Sequence, residues 1–117
     1  MSMLLAAATL LASQTAGAAV PPPLTPPQAQ ALRCGVVFAM GAGMQAAGKP
    51  AATRWPALGT KGREYFVRVA ARIIDETGAS RETIQAMAAT QAASLQDDAA
   101  VAAAMPGCLV LLDAAGV

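Results

Sequence analysis

Phe66, Val69, Ala70, Ile73 and Ile74 recur at three- and four-residue spacing, the period of one face of an α-helix. Glu64, Arg68, Arg72, Asp75 and Glu76 fall on the opposite face. Glu64 and Arg68 stand four apart in the favourable acid-first order, and Arg72 and Glu76 repeat the spacing in the weaker order. Thr60 is placed to cap the start, and Gly78 to stop the helix in a left-handed conformation. The pattern predicts an amphipathic helix within residues 59–78, around which the rest of the chain can be arranged.

A second helical pattern precedes it. Thr25, Pro26 and Gln28 have the form of an N-cap, a first-turn proline and the third-position partner of a capping box, with Leu24 available as a staple. The pattern runs over residues 26–47. Ala31, Gly35, Ala39, Gly43 and Ala47 repeat every fourth residue and draw a stripe of small side chains. Leu32, Val36, Phe38, Met40 and Met44 supply bulk beside the stripe. Within a helix Gly35, Gly41 and Gly43 each cost about 1 kcal/mol against alanine, and close packing by another helix is the compensation expected. The run between Arg33 and Gln45 is too short to cross a bilayer.

Gly48-Lys49-Pro50 ends this pattern, and a connection containing Trp55 leads to the next. Beyond Gly78, Ser80 can cap a third helix beginning at Arg81, with Ile84, Met87, Ala88, Gln91 and Leu95 on its buried face. Residues 99–104 are helical by propensity. Met105-Pro106-Gly107 predicts a break, followed by a short, buried C-terminal helix through Cys108 to Leu112. No stretch alternates polar and apolar residues in the manner of a half-buried strand. The expected fold is all-α: a small helical bundle of three long helices plus a short C-terminal helix.

The first residues read differently. Residues 4–12, LLAAATLLA, form a short apolar run, and Ala16-Gly17-Ala18 fits the small-x-small pattern of a signal-peptidase site. No Lys or Arg precedes the run, so the α-amino group is the only charge of an n-region. The organisation expected is a signal peptide over residues 1–18, a proline-rich lead-in over 19–25 and one helical domain over 26–117. Localisation is then periplasmic, after cleavage near Ala18. Proline-rich residues 19–27 cannot be helical throughout and act as a tether.

Export changes the reading of Cys34 and Cys108, the only two cysteines. In an oxidising compartment they most simply form one disulfide, closing the bundle between its first and last helices. No Cys-x-x-Cys pair is present, and the chain has no histidine to depress a thiol pKa. The missing histidine also removes Ser–His–acid and Cys–His catalysis and the commonest metal ligand. Gly41-Ala42-Gly43 lies inside a helical pattern and is no phosphate loop. No cofactor or metal is expected. The seven acids, Glu64, Asp75, Glu76, Glu82, Asp97, Asp98 and Asp113, leave a small carboxylate-based hydrolase as the only enzymatic alternative.

Net charge is +1, which gives no cause to expect nucleic acid as a partner. The charge is unevenly placed. Residues 33–72 carry seven bases and one acid, while residues 73–117 carry six acids and one base. Either the packed helices neutralise each other, or Lys49, Arg54, Lys61 and Arg63 form a basic patch beside Trp55 that meets an envelope protein or an anionic envelope component. Trp55 itself is expected to close the core over Phe38 and Phe66, with an exposed partner anchor as the other reading.

The leader, the Cys34–Cys108 spacing and the block GREYFVRVAARIIDETG resemble small exported, single-disulfide helical proteins of Gram-negative envelopes. That resemblance implies a compartment and a fold rather than an activity. The function expected is a non-catalytic binding or chaperone-like module of the cell envelope; the alternative is a structural or stress-related envelope protein with no tight ligand.

Overall fold

A computed structural model describes residues 23–117; the expected signal peptide and most of the proline-rich lead-in lie outside the described residues. The described chain forms helices α1 (Pro26–Ala46), α2 (Leu58–Thr77), α3 (Arg81–Ser94) and α4 (Asp98–Ala115), with a short 3₁₀ turn, Pro50–Ala52, between the first two. The all-α bundle is as the sequence patterns indicate.

The centre of the bundle is α1. Its buried residues, Leu32, Cys34, Gly35, Val36, Val37, Phe38, Gly41 and Met44, point in every direction around the helix, as in a helix covered on all sides. Its start is the expected capping box: the Thr25 hydroxyl accepts from the Gln28 N–H at 3.3 Å, and Gln28 Oε1 accepts from the Thr25 N–H at 3.0 Å. α2 packs antiparallel on one side, with Gly35 beside Phe66 and Gly62 beside Phe38. α4 packs antiparallel on another, fastened by the Cys34–Cys108 disulfide with its Cα atoms 5.1 Å apart. α3 lies across α1 and α2.

The four-residue stripe of small side chains is a tight contact at Gly35 but not along its second half. Ala39, Gly43 and Ala47 are exposed, and a methyl group at Gly43 would meet nothing within 4 Å. Close approach occurs at Gly35 within the stripe, and at Gly41 and Gly62 outside it. A Cβ on Gly35 would come within 2.6 Å of the Phe66 ring, and one on Gly62 within 2.8 Å of Phe38 Cβ. The Phe38 Cβ is fixed to the α1 backbone and cannot swing away, so the helices themselves would have to separate. Gly62→Ala is therefore expected to destabilise the protein by about 1–3 kcal/mol despite its gain in helix propensity. Gly43→Ala should stabilise it by about 1 kcal/mol. Urea denaturation of the two variants checks both signs.

Helix α2 begins two residues before the expected Thr60 cap. Ala57 at the cap position makes no side-chain hydrogen bond; the Leu58 N–H is satisfied by Gln45 Oε1, 3.0 Å away on α1. The same amide's nitrogen lies within donating distance of the carbonyls of Ala52, Trp55 and Pro56, at 3.3, 3.3 and 2.8 Å. Gln45 thus pins the whole connection. The far end of α2 is the expected left-handed Gly78, at φ 72°.

The buried face of α2 runs through Leu58, Gly62, Tyr65, Val69 and Ile73. Phe66, Ala70 and Ile74, expected at its centre, flank it half-buried. The rotation follows from Tyr65, whose hydroxyl donates to the Ala31 carbonyl at 3.1 Å and whose ring meets Phe38 edge-on, at 4.9 Å and 84°. With its one polar atom satisfied, the phenol can be buried.

The expected break at Met105-Pro106-Gly107 does not occur, and the last helix is neither short nor buried all round. α4 continues through Pro106, which sits on its exposed side. An interior proline costs about 3 kcal/mol. Here the residues around it, Met105 and Cys108, are anchored in the core, and the disulfide holds the following turn in place. Asp97 caps the start by accepting from the Ala100 N–H at 2.8 Å. Beyond the proline only Cys108 and Leu112 are buried; Val110 is 66% exposed.

Candidate binding surface

The basic loop is fastened to α1 through Gln45 and to α4 through Lys49. Lys49 pairs with Asp98 at the start of α4, and the Gln45 amide nitrogen lies within donating distance of three loop carbonyls, nearest that of Pro56. Trp55 is half-buried against the core, its ring edge 3.4 Å from where a Cβ on Gly41 would lie. It closes the core there, while the Phe38 ring pairs with Tyr65. A shallow hollow of about 330 Å³ opens beside it, lined by Gln45, Lys49, Thr53 and Trp55 among others. Arg54, Lys61 and Arg63 are exposed and form no ion pair among the described residues.

Neutralisation between the two halves is slight. Lys49–Asp98 is the one ion pair among the described residues that crosses from the basic part of the chain to the acidic part; Arg68–Glu64, at 2.6 Å, lies within α2. Both pairs are about half exposed, and such pairs contribute at most about 1 kcal/mol. Arg33 reaches α3 through neutral partners, donating to Gln91 at 3.3 Å and Ser94 at 3.0 Å.

The acids do not assemble. All seven are exposed, and no polar or charged residue is buried among those described. Glu64 is occupied by Arg68, Glu76 accepts from the Gln28 amide at 2.6 Å, Asp97 caps α4 and Asp98 holds Lys49.

One titrating group is displaced. Burial pushes the Tyr65 phenol above its usual value of 10.0, and the nearby Arg72 charge partly offsets the rise. The folded state therefore binds the phenolic proton more tightly than the unfolded chain does. The resulting stability is fully present below pH 10 and is lost as pH rises through the folded pKa. Tyr65→Phe should remove this contribution to the alkaline loss of stability, and cost about 1 kcal/mol at neutral pH for the missing hydrogen bond. Melting temperatures of both proteins from pH 7 to 11 test it.

A second surface was not evident from the sequence. Two shallow hollows, of about 430 and 360 Å³, meet at Phe66. One lies between α1 and α3, lined by Val36, Ala39, Met40 and alanines of α3; the other lies between α2 and α3, lined by Val67, Ala70, Ile74, Ile84 and Arg81. No acid lines either hollow. The first exists because α3 offers Ala88, Ala89 and Ala92 where larger side chains would have filled the seam, and in the second the small residues are Ala70 and Ala71 of α2. Val67, 60% exposed, continues the apolar surface toward Arg63, with which it shares a further hollow. The adjacent apolar pair Phe66-Val67 was the available signal in the sequence, since one helix face cannot bury both.

No protein family, curated protein sequence or solved structure matches the chain.

Proposed function

We propose that this chain is a non-catalytic, exported helical protein of the cell envelope, acting as a binding or chaperone-like module through the groove around Phe66. The observation that carries the reading is that groove: an apolar seam with Phe66 at its middle, exposed Val67 beside it, and Arg63 and Arg81 at its edges. Exposed apolar surface rimmed by charge marks interaction sites on soluble proteins. The dispersed, solvated acids lend no support to a hydrolase. The bonded Cys34–Cys108 pair supports an oxidising compartment such as the periplasm. The basic residues Arg54, Lys61 and Arg63 extend the surface toward an envelope protein or anionic component.

The test is suppression of aggregation of a chemically denatured client enzyme, followed by light scattering. The wild type should protect the client, and Val67→Gln should lose most of that protection while keeping its helix content. Failure of the wild type to protect would leave the structural envelope protein with no tight ligand as the better reading.

A further inference from the structure

We propose that the groove at Phe66 receives helix α4 of a second copy of this chain. The inference rests on reading that groove as a binding surface, and names its occupant. The groove calls for an apolar helix with acidic flanks. No carboxylate lines its two hollows; in the adjoining hollow at Arg63 and Val67 the one carboxylate, Glu64, is taken up by Arg68, and neither Arg63 nor Arg81 is in an ion pair among the described residues. α4 has the complementary character. It is long and apolar enough to cross a membrane by length and composition, yet only Val101, Met105, Cys108 and Leu112 of its 18 residues are buried. Its outer side presents Ala103, Val110 and Ala114, with Asp113 beside them and no Lys or Arg anywhere in the helix.

Val67 and Val110 are the exposed large apolar side chains among the described residues, and one belongs to each surface. Laid antiparallel across α2, α4 of a second copy sets Val110 on Val67. Asp113, one turn beyond Val110, then meets Arg63, one turn before Val67. A lipid surface suits α4 less well, because helices that lie in membrane interfaces carry Lys and Arg along the polar face. The two surfaces are different, so the contact is head-to-tail, and a chain of copies retains one free groove at one end and one free α4 at the other.

Sedimentation equilibrium tests the proposal. Wild-type mass should rise with concentration beyond that of a dimer, and association should weaken when salt is raised from about 0.05 to 0.5 M. Val67→Gln and Val110→Gln, both at exposed positions, should keep wild-type helix content by circular dichroism and each weaken association at least about tenfold. A one-to-one mixture of the two variants should recover a discrete dimer, because one retains an intact α4 and the other an intact groove. A wild type that stays monomeric at every concentration overturns the proposal, as does a mixture no more associated than its components. A monomer that floats with phosphatidylcholine vesicles assigns α4 to lipid instead. In these cases a loss of client protection in Val67→Gln would still stand, separating the fate of the groove from that of its occupant.

Discussion

Reduction of the Cys34–Cys108 disulfide is expected to lower the stability of the protein by about 4 kcal/mol, the chain-entropy value for a loop of this length. The two cysteines are 74 positions apart, so the bond restrains most of the folded chain. For a domain of this size the change corresponds to a fall in melting temperature of roughly 15–30 °C. α4 should be the element most affected. It contributes four buried residues to the core, carries a proline in its interior, and is held to α1 by that bond and the packing around it. Thermal melts with and without reductant measure the total effect, and hydrogen exchange should show α4 amides losing protection before those of α1 and α2. Since both half-cystines are buried, the Cys34→Ala/Cys108→Ala variant supplies a second measurement independent of reductant access. A loss below about 1 kcal/mol in both experiments would mean that packing alone holds α4.

Features written into short stretches of sequence were readable, and features made by distant residues were not. The Thr25–Gln28 capping box, the Gly78 stop, the Ser80 cap and the pairing of the only two cysteines each depend on a few residues or on simple elimination. The start of α2 does not. It is set at Leu58 by Gln45, thirteen residues away, in place of a local cap. The burial of Tyr65 in preference to Phe66 depends on a carbonyl of α1 that a helical wheel does not contain. Pro106 reads as a breaker because its penalty is local, whereas the core contacts and disulfide that offset it come from another helix. Even the choice of central element turns on tertiary context: α2 has the clear two-faced pattern of a helix at the surface, and α1, apolar on every side, is the one the others surround. The same distinction applies to function. The basic residues of the loop were visible as a charge run. The groove at Phe66 came into view only with α3 in place, because it consists of space that alanines leave unfilled.

Phe38→Ala is expected to cost about 3–5 kcal/mol, the range for truncating a buried phenylalanine. The Phe38 ring is wholly buried, meets Tyr65 edge-on at 4.9 Å, and belongs to a residue whose Cβ stands directly over Gly62. The site cannot readily collapse, because Gly62 has no side chain to move into the space and the α1–α2 distance is already set by the close approaches of Gly62 to Phe38 Cβ and of Gly35 to the Phe66 ring. Trp55→Ala should cost less, about 1–3 kcal/mol, although it deletes a larger ring, since that ring is half-buried at the edge and water can replace part of what it covers. Urea denaturation of the two variants orders these costs. Were Trp55→Ala the more damaging, the loop pinned by Gln45 would be the keystone of the fold, and the aromatic pair of α1 and α2 would be secondary to it.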